Sequence, residues 1–195
     1  MKEKQNIILA ITGASGAIYG KRLFDCLHEK GYGIHLLISK QGEQILREEL
    51  DLGTDYFQRE GVFFYKNDDL NVRIASGLFP CLGMAIVPAS MGVMGRIASG
   101  ISNDLVSRAA DVALKEKGRL VLVPRETPIH EIHLRNMLTL SRAGAVILPA
   151  SPGFYHRPRS IDDLVDFVVG RILKVLAIEN DLLKPWEPSS GAGPE

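Results

Sequence analysis

The chain has 195 residues, 46% hydrophobic and 24% charged, which is enough for one domain with a real core and is the balance of a soluble globular protein. Lys plus Arg and Asp plus Glu number 23 each, and a neutral chain lacks the basic face that a nucleic-acid binder needs for phosphate contacts. No apolar run approaches a membrane span, Met1-Lys2-Glu3-Lys4-Gln5 leaves no room for a signal peptide, and the two cysteines, Cys26 and Cys81, have no metal spacing, so the expectation is a cytoplasmic protein with two structural thiols and neither nucleic-acid nor membrane partners.

Ile7-Ile8-Leu9-Ala10-Ile11 predicts a buried strand. It does not alternate, which suits a parallel sheet covered on both faces. Thr12-Gly13-Ala14-Ser15-Gly16-Ala17 follows, and then a helical pattern over 17–30 with Leu23, Phe24, Cys26 and Leu27, ended by Gly31. Small residues at such a junction let the backbone approach a ligand, and free amides at a helix N-terminus attract phosphate. The turn therefore reads as one wall of a cleft for a phosphorylated cofactor; its plainer reading is a tight strand–helix turn. A second strand over 34–38 ends at Ser39, which is either the N-cap of the next helix or a hydroxyl at the ligand edge of the sheet. That helix carries Ile45, Leu46 and Leu50, with Glu43, Glu48 and Glu49 on its solvated side. The stretch 51–71 is polar and irregular around Val62-Phe63-Phe64-Tyr65, an edge strand or an excursion.

A third apolar strand, 83–87, runs into Pro88-Ala89-Ser90-Met91-Gly92-Val93-Met94-Gly95, a second small-residue turn that should open on the same sheet edge as the first. A helix over 103–117 places Leu105, Val106, Ala109, Val112 and Ala113 on one face, with Arg108 and Lys115 around it. The strand 120–123 is closed by Pro124-Arg125-Glu126-Thr127-Pro128. A guanidinium held there can fork onto a phosphate; the plainer reading is a loop salt bridge. In the helix over 129–143, His130 and His133 stand three apart without an HExxH pattern or a cysteine partner, so they read as surface or core histidines and no metal is expected. The last strand, 145–148, ends in Pro149-Ala150-Ser151-Pro152-Gly153-Phe154-Tyr155-His156-Arg157-Pro158, the only ligand-edge loop rich in aromatics. A final helix over 161–178 is apolar at Leu164, Phe167, Val168, Ile172, Val175 and Leu176, and Arg171 breaks the stripe as a snorkelling charge or an anion site. Trp186 lies in a Pro- and Gly-rich tail, as a staple or as a lid.

In their order and spacing, Gly13-Ala14-Ser15-Gly16-Ala17, Pro88-Ala89-Ser90-Met91-Gly92, Val123-Pro124-Arg125-Glu126-Thr127-Pro128 and Pro149-Ala150-Ser151-Pro152-Gly153-Phe154-Tyr155 resemble the UbiX-type flavin prenyltransferases, over nearly the whole chain to Trp186. The related cysteine decarboxylases carry a Pro-Ala-Ser turn ending in Asn-Thr and a Met-Asn-x-x-Met-Trp motif. Here Pro88-Ala89-Ser90 continues as Met91-Gly92, and that motif is missing. The resemblance implies a single-domain α/β, Rossmann-like, flavodoxin-type three-layer sandwich with a parallel sheet. Residues 1–182 would form the FMN-binding domain and 183–195 a tail or lid, in a homo-dodecamer of trimers with FMN at subunit junctions. It implies transfer of a dimethylallyl group from dimethylallyl monophosphate to reduced FMN, at N5 and then C6, without metal. The product would serve a UbiD-type decarboxylase, as in ubiquinone biosynthesis. The alternatives are an FMN-dependent decarboxylase of an aromatic acid or cysteine-derived substrate, and a flavin carrier without chemistry.

Carried over by position, the resemblance gives FMN to Gly13, Ala14, Ser15, Ser39, Ser90, Met91, Gly92, Val93 and Arg125. Lys115, Arg125, Glu126, Tyr155 and Arg171 would surround the prenyl phosphate, Glu49 and Arg108 would reach in from neighbouring subunits, and Trp186 would close over the site. Ser15, Glu49, Lys115, Glu126 and Tyr155 would be catalytic. The chemistry suits these types. A prenyl monophosphate of about two negative charges calls for clustered Lys and Arg. An allylic cation calls for a dry pocket with π-faces, such as Tyr155 and Trp186. A flavin nitrogen calls for a proton relay, such as Ser15 and Glu49. Only the isolated pairs Asp68-Asp69 and Asp162-Asp163 occur, with no DDxxD cluster to hold Mg²⁺ for a diphosphate.

Overall fold

The computed structural model describes residues 5–183. Six strands, β1 (Asn6–Ile11), β2 (Gly33–Ile38), β3 (Val62–Tyr65), β4 (Gly83–Ala89), β5 (Arg119–Pro124) and β6 (Val146–Ile147), form one sheet in the order β3-β2-β1-β4-β5-β6. Every neighbouring pair is parallel. The helices are α1 (Ala17–Glu29), α2 (Lys40–Leu50), α3 (Met91–Ala98), α4 (Leu105–Lys115), α5 (Glu131–Arg142) and α6 (Ile161–Val175). This is the doubly wound order of Rossmann sheets, and without the edge strand β3 it reduces to the flavodoxin order. From β1 the chain winds outward through β2 and β3, then returns to the other side through β4. The winding therefore reverses between β1 and β4, and a crevice opens there at the carboxyl ends of both strands.

The unbroken apolar run of β1 is explained by burial on both faces. Ile7, Leu9 and Ile11 pack with Leu23, Val169 and Ile172 of α1 and α6, whereas Ile8 and Ala10 pack with Met94 and Ala110 of α3 and α4. Each such aliphatic side chain contributes roughly 1.5–3 kcal/mol on burial. Among the described residues no helix is long and apolar enough to cross a membrane.

Of the two readings of Val62–Tyr65 the edge strand holds, paired with β2 alone. Several other expectations are corrected. The small-residue stretch after β4 is not a turn but the start of α3, whose N-cap is Ser90. The last strand shrinks to Val146–Ile147, although the Leu148 amide still donates to the Leu122 carbonyl at 2.8 Å. The final helix stops at Val175, because Ala177 turns the chain with φ 58°. Its buried stripe is Val165, Val168, Val169, Ile172 and Leu173, so Arg171 lies on the exposed side and interrupts nothing. Cys26 is buried, and burial pushes its thiol up, but Cys81 is exposed, so only one of the two thiols is a core group.

Candidate active site

The site starts at the end of β1. Gly16 stands at the N-cap of α1 with φ 103°, a left-handed conformation that glycine adopts without strain. It offers no side chain to cap the helix. Glu49, near the end of α2, does so instead: its carboxylate accepts from the Gly16 amide at 2.9 and 3.1 Å and from the Ala17 amide at 2.9 Å. An anion thus sits on the positive end of α1. Glu49 was expected in a neighbouring subunit's site; it is engaged within its own chain. Gly13 lies so close to α2 that a Cβ there would collide with the Gln41 side chain.

The flanking helices begin at the same edge. Ser39 accepts from the Gly42 amide at 3.0 Å and so caps α2, and its own amide donates to the Ile11 carbonyl at 3.0 Å. Ser90 accepts from the Val93 amide at 3.4 Å at the head of α3, with Met91 and Gly92 in the first turn. From β5, Arg125 donates through Nε to the Ser15 carbonyl at 3.0 Å, which brings the loop after β5 onto the turn after β1. Gly13, Ala14, Ser15, Ser39, Ser90, Met91, Gly92, Val93, Glu49 and Arg125 therefore share one edge of the sheet. Glu126 follows Arg125 and accepts from the Thr127 amide at 3.1 Å.

Other predicted residues are not drawn in. Lys115 ends α4 only four residues before β5 begins, at the opposite edge of the sheet, one strand length or roughly 20 Å away. There it pairs with Glu116 at 2.7 Å. Arg108 is turned to the Ala75 carbonyl at 3.3 Å and to Asp111 at 3.2 Å. Arg171 lies ten residues into α6, about 15 Å along its axis. Tyr155 is 54% exposed beside Phe167. Trp186 and the rest of the tail from residue 184 lie outside the described residues. The rings of His130 and His133 lie against each other, tilted by 30°, and no group of three His, Cys, Asp or Glu side chains stands together for a metal among the described residues.

Two features escaped the sequence reading. Thr12 is fully buried, its hydroxyl donating to the Pro88 carbonyl at 2.8 Å and accepting from the Ser90 amide at 2.9 Å. A hydroxyl ending an apolar run, just before glycine, was the available signal. His35 is buried in β2, paired with the Tyr65 hydroxyl at 2.8 Å and stacked on Phe63. Burial, and then the Arg73 charge, lower its pKa to about 4. In the sequence it was one polar letter in an apolar strand.

A doubly wound α/β protein, with small-residue turns and helix N-termini gathered at its switch point, is a nucleotide- or flavin-binding protein by class. The Flavoprotein family profile matches residues 1–173. A flavin prenyltransferase UbiX from Halalkalibacterium halodurans is 50% identical over 188 residues, covering 91% of both chains. The crystal structure of AnUbiX (PadA1) in complex with FMN and dimethylallyl pyrophosphate superposes with a TM-score of 0.91 at 41% identity, over 95% of this chain and 99% of that one. A dodecameric FMN-dependent UbiX-like decarboxylase from Escherichia coli O157:H7 gives 0.90 at 38% identity, over 94% of this chain and 100% of that one. The chain belongs to the UbiX flavin prenyltransferases of the Flavoprotein family.

Proposed function

We propose that this protein joins a dimethylallyl group from dimethylallyl monophosphate to reduced FMN, at N5 and C6, with loss of phosphate, to make prenylated FMN. The observation that carries this reading is the Arg125–Ser15 bond at the switch point, which fixes a guanidinium against the glycine turn. The residues fit a flavin phosphate. Three serine hydroxyls and Arg125 supply donors, and the absence of a side chain at Gly13 lets the turn pack against Gln41 at the head of α2, while the Gly16 and Ala17 amides are taken by Glu49. Bound there, the flavin supplies the nucleophilic nitrogen and carbon of the reaction.

This chain's groups divide the remaining work. Gly13, Ala14, Ser15, Ser39, Arg125 and the first turn of α3 bind and orient the flavin. Ser15 and Glu49 hold and move the proton near the reacting nitrogen. Glu126 and Tyr155 flank the prenyl phosphate, while Lys115, Arg108 and Arg171 neutralise it. The distance of Lys115 from its own Ser15 supports its serving a neighbouring copy. The exposed apolar pair on one face of α5, Leu134 at 55% and Leu138 at 51% one turn apart, supports a homo-oligomer, for which we take the dodecamer. The domain is 1–182; the tail 183–195, with Trp186, acts as its lid. Catalysis needs no metal. Free Cys26 and Cys81 support the cytoplasm as its compartment, and a UbiD-type decarboxylase receives the product.

The test is anaerobic incubation with reduced FMN and dimethylallyl monophosphate, without added metal, followed by mass spectrometry of the released flavin. A flavin heavier by one five-carbon unit is expected. FMN that binds and stays unmodified overturns the transferase in favour of a decarboxylase or carrier.

A further inference from the structure

We infer that Thr12 is the positioning residue that sets the α3 half of the flavin site relative to the β1 half. An N-cap residue carries an amide of its own that needs an acceptor, and a capping box supplies it from the side chain three residues on. Two helices of this protein close the box locally. The Asp104 amide donates to Ser107 at 3.3 Å at the head of α4, and the Ser160 amide donates to Asp163 at 3.1 Å at the head of α6. In α3 the third position is Val93, which has no acceptor. The Ser90 amide donates instead to the Thr12 hydroxyl at 2.9 Å, from a residue 78 positions earlier.

That hydroxyl has a fixed orientation. It gives its proton to the Pro88 carbonyl at 2.8 Å, which leaves its lone pairs for Ser90. The Thr12 amide also donates to Pro88, at 3.2 Å. One fully buried side chain therefore spans the switch point and joins the glycine turn to the Ser90 cap. On the other flank, the Ser39 amide is taken by the carbonyl of Ile11, the residue before Thr12. The helix heads on both sides of β1 are thus anchored to consecutive residues of its end. The consequence is that the Ser90 amide and hydroxyl are set before any ligand arrives, so the ligand need not order α3.

This inference rests on the flavin reading of the site, and the experiment separates the two. FMN affinity is measured by quenching of flavin fluorescence for wild type, Thr12→Ser and Thr12→Val. Thr12→Val is nearly isosteric and removes only the hydroxyl. It is expected to weaken FMN binding about tenfold, as an orphaned buried donor does, while Thr12→Ser stays within about twofold of wild type. Hydrogen exchange at the Ser90 amide of the ligand-free wild type is measured alongside and is expected to be slow. A folded Thr12→Val that binds FMN like wild type overturns the inference. If Thr12→Val does not fold, rapid exchange at Ser90 in the wild type overturns it and slow exchange supports it. A wild type that fails to bind FMN overturns the flavin reading, and Ser90 exchange then decides the role of Thr12 alone.

Discussion

The carboxylate of Glu49 caps the amide of Gly16 at 2.9 Å across 33 residues of sequence, and it reaches the Ala17 amide at the same distance. Among the described residues it is the first helix's only side-chain acceptor at that end, because Gly16 has none to give. Glu49→Ala should cost about 1 kcal/mol, or about 2–4 °C in Tm for a chain of this size. Glu49→Gln keeps an acceptor without the charge and should lose about half as much. Thermal unfolding of the two variants checks both values; equal losses would show that the neutral acceptor contributes nothing, and an unchanged Glu49→Gln that the charge contributes nothing.

Glu126 and Tyr155 separate chemistry from flavin binding. Glu126 is held only by the amide of its own turn, and Tyr155 is 54% exposed, so neither supports the core. Glu126→Gln and Tyr155→Phe should bind FMN within about twofold of wild type and slow prenyl transfer by about a hundredfold. Single-turnover assays with saturating FMN read the difference. Unchanged rates in both variants remove these residues from the reaction.

His35 gives the fold an acid limit. Its pKa falls from 6.5 in the open chain to about 4 when buried, so the unfolded state takes up the proton first. The stability conferred by the neutral ring is whole above pH 6.5 and is lost as pH falls to about 4, a loss on the order of 3 kcal/mol. Urea titrations across this range should show that slope in wild type. His35→Phe keeps the stack on Phe63 and should flatten it. An identical slope in the variant would assign the acid sensitivity to other groups.

The exposed apolar face of α5 predicts the assembly. Leu138→Asp should leave the circular dichroism spectrum of the fold intact, since the side chain is 51% exposed. It should lower the mass measured by light scattering and reduce prenyl transfer by at least about tenfold, because charge at a buried interface core is strongly disfavoured. A full-sized variant would place the interface elsewhere.

Much of this was legible in the chain because local patterns carry it. Apolar runs at Ile7, Ile34, Met84 and Leu120 marked buried parallel strands, and each became one. Ser39 was readable as a cap because its partner Gly42 is three residues away. Phe63 and Phe64 were ambiguous because an edge strand is defined by the one neighbour it lacks. The stretch from Met91 to Gly95 looked like a turn because its glycines have poor helix propensity, but Ser90 and packing against α5 carry it into a helix.

Local spacing by itself determined the four central strands, most helices and the position of the four small-residue stretches, because periodicity and capping act within a few residues. Only the tertiary structure decided which distant groups meet. The Arg125 guanidinium reaches Ser15 across 110 residues, Thr12 reaches Ser90 across 78, and Lys115 is carried to the far edge of the sheet although the resemblance put it in the same pocket. The reason is geometric. Parallel strands return every carboxyl end to one edge, whatever the length between them, and α4, which runs directly into β5, ends at the other.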